Sequence, residues 1–342
     1  MPLPEVHLVS GTCAEATRLA PVAAAIRAQG LLEPVLVAAG TDVSRAHISM
    51  GLASDVTLPT PADQATAIRH YDQLWAERTP AAVLVRGDNL AAALAAYWRR
   101  IPVLHLDAGR RSGTPGADAV DADRRLLAQV ATLHLAAAPL AAMNLLDESV
   151  VAGDILLTGG TAVDAARMLT ARLRAAGTPR PNRVLLVGVD DAYDRPVREA
   201  MLDLAARYPD LDVIGARVST HERARLVAAA DLVLADDFDL AEEALAAGVP
   251  VLVPGEGREL SEALHTGSAR LVEPTAEALE RELATLLDSR LRRDSMRALG
   301  SPYGDGLAAG RIAQATAALL GQGQFPDPMP ARKPTEEPTW MS

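Results

Sequence analysis

The sequence predicts an α/β protein of two Rossmann-like, doubly wound domains that face each other across a cleft. Three observations predict it. Short apolar runs alternate with longer amphipathic stretches along most of the chain, a pattern that builds parallel sheets with right-handed crossovers. At 342 residues the chain is long for one core and suits two domains of ordinary size. A polar, proline-bearing break at Thr178-Pro179-Arg180-Pro181-Asn182 stops the preceding helical pattern and divides the chain.

Taken in order, Val6–Ser10 is an apolar run closed by Gly11, and Glu15–Ala28 carries helical Ala, Leu and Arg spacing. Strand candidates follow at Val35–Ala38, Val83–Arg86, Val103–Leu106, Leu133–Ala136 and Ile155–Leu157. Amphipathic stretches such as Ala62–Trp75 and Leu90–Arg99 lie between them. Beyond the break come Val184–Gly188, Val213–Gly215, Leu232–Ala235, Val251–Pro254 and Arg270–Val272, with Ala224–Ala230 as a connecting helix. The expected domains span residues 1–177 and 183–300. From Gly321 the chain is proline-rich and polar without periodicity, so 322–342 is expected to be a disordered tail.

Composition narrows the function classes. With 49% hydrophobic but only 3% aromatic residues, the cores must be built from Ala, Leu and Val. A net charge of −11 argues against nucleic acid or a membrane surface as partner, and an anionic ligand would need local cations or backbone donors. Cys13 is the single cysteine, so no internal disulfide forms. No basic-then-apolar leader and no run of membrane-spanning length is found, so the expected location is cytoplasmic. The seven histidines lack ligand spacing, so no metal is expected, and His105 and His134 read as core residues.

In open parallel sheets, ligands sit beyond the carboxyl ends of the strands. Gly11-Thr12-Cys13-Ala14-Glu15, Arg86-Gly87-Asp88-Asn89, His105-Leu106-Asp107-Ala108-Gly109 and Thr158-Gly159-Gly160-Thr161 all begin there. At Gly11 the backbone can turn tightly, and the free amides of the helix start can face an anion. The plain alternative is an ordinary strand-to-helix turn. Cys13 at a helix start could be an activated thiol, or simply a small residue filling space. Asp88 precedes a helix, where its plain role is an N-cap.

With Pro302-Tyr303-Gly304-Asp305-Gly306, these segments resemble, in order and spacing, the non-hydrolysing UDP-N-acetylglucosamine 2-epimerases from about Val6 to Leu320. That family has the two-domain arrangement called GT-B in glycosyltransferases. The resemblance implies that a final helix, here about 306–320, crosses back onto the first domain. It also implies a UDP-sugar substrate, no cofactor and a homodimer. In the resembled reaction the C2 proton is removed and UDP expelled, then both are returned on the opposite face.

Carried over residue by residue, the resemblance implies Asp88, Asp107 and Asp121 as the proton-moving carboxylates, with Asp118 and Asp123 as alternatives to Asp121. Gly11, Cys13, Arg18, Arg111, Asp237, Glu243 and Arg258 then line the nucleotide site. Departures are numerous. Cys13 replaces a phosphate-binding arginine, Arg18 a lysine and Arg86 a glutamine. Asp107 replaces a glutamate, which withdraws the carboxylate by about 1.5 Å. The segment Val187-Gly188-Val189-Asp190-Asp191-Ala192 lacks the family's histidine. Where the family cradles UDP on Asp-Ser-Gly-Gly, this chain reads Asp236-Asp237-Phe238-Asp239. Acids there repel phosphate by about 4 kcal/mol at about 4 Å and an effective dielectric near 20. Glu243 keeps the family's ribose-holding position, and Arg258 lies two residues from the register of a lost arginine.

The expected function is a diverged nucleotide-sugar 2-epimerase in specialised sugar metabolism. The alternatives are a non-catalytic homologue that partners an active paralogue, and a binder of a cationic sugar suited to the acid-rich second domain.

Overall fold

Strand β1 (Glu5–Ser10) is buried from Val6 to its end and hydrogen-bonds in parallel to both its neighbours. The computed structural model describes residues 2–112, 119–174, 183–189, 191–218 and 220–330. After β1 come α1 (Cys13–Gln29), β2 (Glu33–Ala39), α2 (Thr41–Ser49), β3 (Val56–Leu58) and α3 (Gln64–Glu77). The chain continues through β4 (Ala82–Arg86), α4 (Leu90–Trp98), β5 (Val103–Leu106) and α5 (Ala119–Val130). Then follow β6 (Leu133–Ala136), α6 (Pro139–Asp147), β7 (Ile155–Leu157) and α7 (Ala162–Arg174). These strands form one sheet in the order β3-β2-β1-β4-β5-β6-β7, parallel throughout.

Successive strand residues point to opposite faces, and here both faces are covered. Leu8, Leu36 and Leu84 pack against Leu19 and Ile26 of α1, while Val9, Val37 and Val85 pack against Tyr71, Trp75 and Ala92. Burial on both sides is why the strands read as continuous apolar runs rather than alternating ones. The fully buried Trp75 donates its indole N–H to His7 Nδ1 at 3.1 Å, so neither polar atom is wasted in the core.

The second sheet is built from β8 (Arg183–Gly188), α8 (Asp194–Arg207), β9 (Leu211–Gly215), α9 (Thr220–Ala229) and β10 (Leu232–Ala235). It is completed by α10 (Phe238–Ala246), β11 (Val251–Pro254), α11 (Ser261–Thr266) and β12 (Ala269–Val272). Its order is β12-β11-β10-β8-β9, again parallel. Helices α12 (Ala276–Asp288) and α13 (Arg290–Leu299) follow, and α14 (Ala308–Leu319) returns to the first sheet. There Ile312 is fully buried beside Leu8 and Leu19, a contribution on the order of 2 kcal/mol. The return crossing is tight. Gly160 N–H donates to Tyr303 O at 2.5 Å, and a Cβ on Gly304 would meet Gly160 O at 2.6 Å.

Each sheet reverses its strand order once, between β1 and β4 in the first and between β8 and β10 in the second. Crevices form at such switch points, and the loops there begin at Gly11, Gly87, Val189 and Asp236.

Several expectations change. Strand β3 and helix α2 were not anticipated, because β3 is a three-residue, partly exposed edge strand with no clear period. Segment 322–342 was expected to be disordered, and of it 331–342 lie outside the described residues. Within 322–330, instead, Met329 N–H donates to Leu157 O at 2.7 Å and Gln314 Nε2 donates to Gln324 O at 3.2 Å, which places the chain against the first domain as far as Pro330. The break at 178–182 lies outside the described residues. Among the described residues no helix is long and apolar enough to cross a membrane.

Candidate functional site

The loop after β1 satisfies its own donors. Thr12 caps α1 by accepting Glu15 N–H at 3.2 Å, and Glu15 reaches back to accept Gly11 N–H at 2.6 Å, the reciprocal logic of a capping box. Asn89 Nδ2 adds a third contact to Glu15 Oε2 at 3.2 Å. Burial pushes the Glu15 carboxyl up to about 7, against the pull of the Gly11 amide and Arg86. The Gly11 N–H is thereby committed inside the protein. Cys13 packs beside Ala16, Ala38, Val43 and Ala46.

Asn89, not Asp88, caps α4: its side chain accepts Ala92 N–H at 3.3 Å. Asp88 is half-buried, and its charge adds to the burial that chiefly raises the carboxyls of Glu15 and Asp123. Asp121 lies in the first turn of α5. It is buried, accepts Ser112 N–H at 3.0 Å and sits 3.7 Å from Arg124 Nη1. Asp118 lies outside the described residues.

The centre of the cleft is an ion-pair lattice. Arg86, at the end of β4, donates Nε to Asp107 Oδ2 at 2.5 Å and Nη2 to Asp239 Oδ1 at 3.1 Å. Asp107 has φ 57°, a left-handed backbone rare outside glycine. Two residues on, Gly109 has φ 83°, and a Cβ there would overlap Ala141 O at 1.9 Å, so the loop can pass α6 only as glycine. Arg110 reaches Glu259 Oε2 at 3.1 Å and Asp239 Oδ1 at 3.5 Å, with its guanidinium 4.0 Å above the Phe238 ring. Arg124 joins Glu259 Oε1 at 3.1 Å. Arg18 lies 2.9 Å from Glu242 Oε2, off the hydrogen-bonding direction, and 3.9 Å from Glu243.

The charges divide by domain: the arginines come from the first, and Asp239, Glu242, Glu243 and Glu259 from the second. Burial would raise Asp239, but Arg86, Arg110 and Arg18 outweigh it and hold the carboxyl well below its ordinary range. Burial pushes Glu242 up to about 7 despite Arg18.

Helix α10 offers little to an anion. Asp237 is its N-cap and accepts the N–H of Asp239 at 2.9 Å and of Leu240 at 3.3 Å. Those are the amides that a phosphate would approach. Phe238 is buried between Arg110 and the edge of Tyr303, whose ring centroid lies 5.0 Å away. Asp239, expected only as a source of repulsion, is matched by arginines of the opposite domain.

Arg111 and Arg258, two of the cations expected at the nucleotide site, line a pocket that also holds Asp107, and each is paired with an acid. Arg111 forks onto Glu148 at 2.8 and 2.5 Å, and Arg258 pairs with Glu256 at 2.5 Å. Glu243 receives both arms of Arg223 at 3.0 and 2.8 Å. Two of the three proposed carboxylates are engaged separately, Asp107 by Arg86 and Asp121 by Ser112 and Arg124, whereas Asp88 stands among like charges, near Glu15 and Asp123. His105 and His134 are buried and held neutral by burial, lowered to about 3 and about 4. His105 Nε2 donates to Gly87 O at 2.9 Å. Neither Nδ1 finds a protein partner among the described residues. Those residues contain no group of side chains suited to a metal ion. Arg110 and Glu259 were not anticipated, since residues 149 positions apart give no local signal of their pairing.

A pocket of about 160 Å³ opens beside this lattice, with Asp107, Arg110, Phe238, Glu259 and Tyr303 among its walls.

A family profile described as UDP-N-acetylglucosamine 2-epimerase matches residues 36–189 and 193–317. A probable UDP-N-acetylglucosamine 2-epimerase of Ralstonia nicotianae is 30% identical over 290 aligned positions, covering 70% of this chain and 76% of the relative. The UDP-N-acetylglucosamine 2-epimerase of Escherichia coli K12 is 28% identical over 369 aligned positions, covering 91% and 98%. A UDP co-structure from S. aureus superposes with TM-score 0.84 at 22% identity, covering 96% of this chain and 100% of the other. The Neisseria meningitidis enzyme bound to UDP-GlcNAc gives 0.79 at 22%, covering 93% and 100%. At these identities the superpositions show the shared two-domain fold.

Proposed function

The chain belongs to the UDP-N-acetylglucosamine 2-epimerase family, and from that premise we propose that it is a non-catalytic member which acts as partner to an active paralogue. The observation that carries this is the double engagement of Arg86 by Asp107 and Asp239. A carboxylate oxygen committed to a guanidinium must give up that bond before it can take a substrate proton. An entering diphosphate must compete with Asp239 and Glu242 for the same arginines, and breaking one side of a buried pair costs about 3–5 kcal/mol. The helix amides that could repay this are capped by Asp237. The histidine of the resembled reaction is absent from 187–192.

The test is deuterium incorporation at C2 of UDP-N-acetylglucosamine in D₂O, with calorimetry of UDP alongside. Neither exchange nor binding is expected from the protein alone. Exchange at C2 would sink this reading and establish the second one.

That second reading is a diverged nucleotide-sugar 2-epimerase, favoured by the pocket beside Asp107. In it the domains part, Asp88, Asp107 and Asp121 move the C2 proton, and Arg18, Arg111 and Arg258 release their acids to hold the diphosphate. Gly11, Cys13, Asp237 and Glu243 would then border the nucleotide. A cationic sugar is supported less, because Asp239 and Glu259 are already matched by arginines. A homodimer or a hetero-oligomer with the paralogue, in the cytoplasm, completes the proposal.

A further inference from the structure

We infer that residues 325–330 form a strap which docks on the edge of the first sheet and holds the return crossing between the domains closed. Strand β7 is the last in that sheet's order. A sheet edge presents N–H and C=O groups with which an extended segment can pair. Met329 makes such a contact, its N–H donating to Leu157 O at 2.7 Å.

The sequence of the segment suits an edge. Residues 326–330 read Pro-Asp-Pro-Met-Pro. Proline has no N–H and keeps the residue before it extended, so Asp327 and Met329 carry the backbone donors of this stretch. Alternate residues of an extended chain face the same neighbour, and the prolines fall where no donor is needed. The same prolines stiffen the free segment, which lowers the entropy lost on docking.

Geometry ties the strap to the crossing. Gln314, on α14, donates Nε2 to Gln324 O at 3.2 Å, so the chain turns back along the helix it has just left. A helix of 12 residues is about 18 Å long. Residues 322–330 reach roughly 30 Å when extended, enough to return to its start. There the Met329 thioether rests on Gly159: a Cβ on that glycine would stand 2.9 Å from Met329 Sδ, 3.4 Å from Gly304 Cα and 3.8 Å from Ala308 Cβ. Methionine, flexible and polarisable, fills such an irregular gap well. The neighbouring Gly160 N–H donates to Tyr303 O, the contact that fastens the crossing. Asp327 is exposed and Met329 only half-buried, so the strap can leave while both domains stay folded. Because the crossing joins the second domain to α14, its release frees the domains to part. The strap acts whether or not the chain turns over a UDP-sugar.

Amide hydrogen exchange on the full chain, read by NMR, tests this. In the wild-type protein Met329 N–H should exchange at least tenfold more slowly than in an unstructured chain. Met329→Asp, which sets a carboxylate against Gly159, should speed exchange of Gly160 N–H at least tenfold and leave Leu8 and Leu84 in the central strands unchanged. Should that variant fail to fold, Met329→Ala, which removes only the thioether, is read in the same way. Asp327→Ala, an exposed change within the strap, should leave Gly160 as in wild type. Exchange of Met329 at the unstructured rate, or of Gly160 at the wild-type rate once Met329 is replaced, would overturn the inference. Equal acceleration at Leu8 and Leu84 would overturn it too, since that marks general destabilisation and not an opened crossing.

Discussion

Arg86 and Asp239, 153 residues apart, meet across the cleft with Nη2 donating to Oδ1 at 3.1 Å. The same guanidinium holds Asp107 through Nε. One side chain therefore links a strand end of the first domain to the start of α10 in the second.

Replacing it should be costly. Arg86→Ala leaves Asp107 buried and Asp239 mostly buried without their main partner, and should destabilise the protein by about 3 kcal/mol. Urea unfolding measures this. An Arg86→Ala, Asp239→Ala double variant should lose clearly less than the sum of the two singles, since the pair is coupled. Strict additivity would mean that the contact carries no energy.

The lattice should also set the separation of the domains. Glu259 takes contacts from both Arg110 and Arg124 at 3.1 Å, so Glu259→Lys places like charges there and should part the domains. Small-angle scattering should then report a larger radius of gyration than wild type, with an unchanged radius counting against a latch.

Glu15 should make stability depend on pH. Its folded pKa, raised chiefly by burial to about 7, lies above the ordinary 4.5. Between those values the folded state keeps a proton that the unfolded chain has lost, so stability falls as pH rises through that window and levels off above it. Glu15→Gln should therefore gain up to about 3 kcal/mol on wild type at pH near 8, with the gain vanishing near pH 4. Denaturant titrations at the two pH values decide it.

Gly109→Ala should destabilise by about 3 kcal/mol or more, because it combines a left-handed backbone with a 1.9 Å overlap on Ala141 O. Gly153→Ala, whose added Cβ meets nothing within 4 Å, serves as the control and should leave the melting temperature close to wild type.

Much of the fold was legible because it is encoded locally. The runs around Leu8, Leu84 and Leu104 are apolar on both faces, as central parallel strands must be. Strand β3 escaped because three half-exposed edge residues carry no period. Of the site, the loops at the strand ends were legible, and so was the absence of the histidine and glycines that the resemblance implies for the nucleotide site. The partners of those loops were not. Arg111 looked like a phosphate ligand until Glu148 took it, and Asp88 looked like a cap until Asn89 proved to be one.

By itself the sequence determined the order of elements, the parallel sheets and the family, since strand, turn and helix preferences act over a few neighbouring residues. Tertiary structure alone decided what the charges do. In sequence, Asp239 and Glu242 read as a surplus of negative charge, and Arg86 and Arg110 as a surplus of positive. Coulomb attraction depends on distance in space rather than along the chain, and only folding brings the two sets to within hydrogen-bonding range, where they cancel across the cleft.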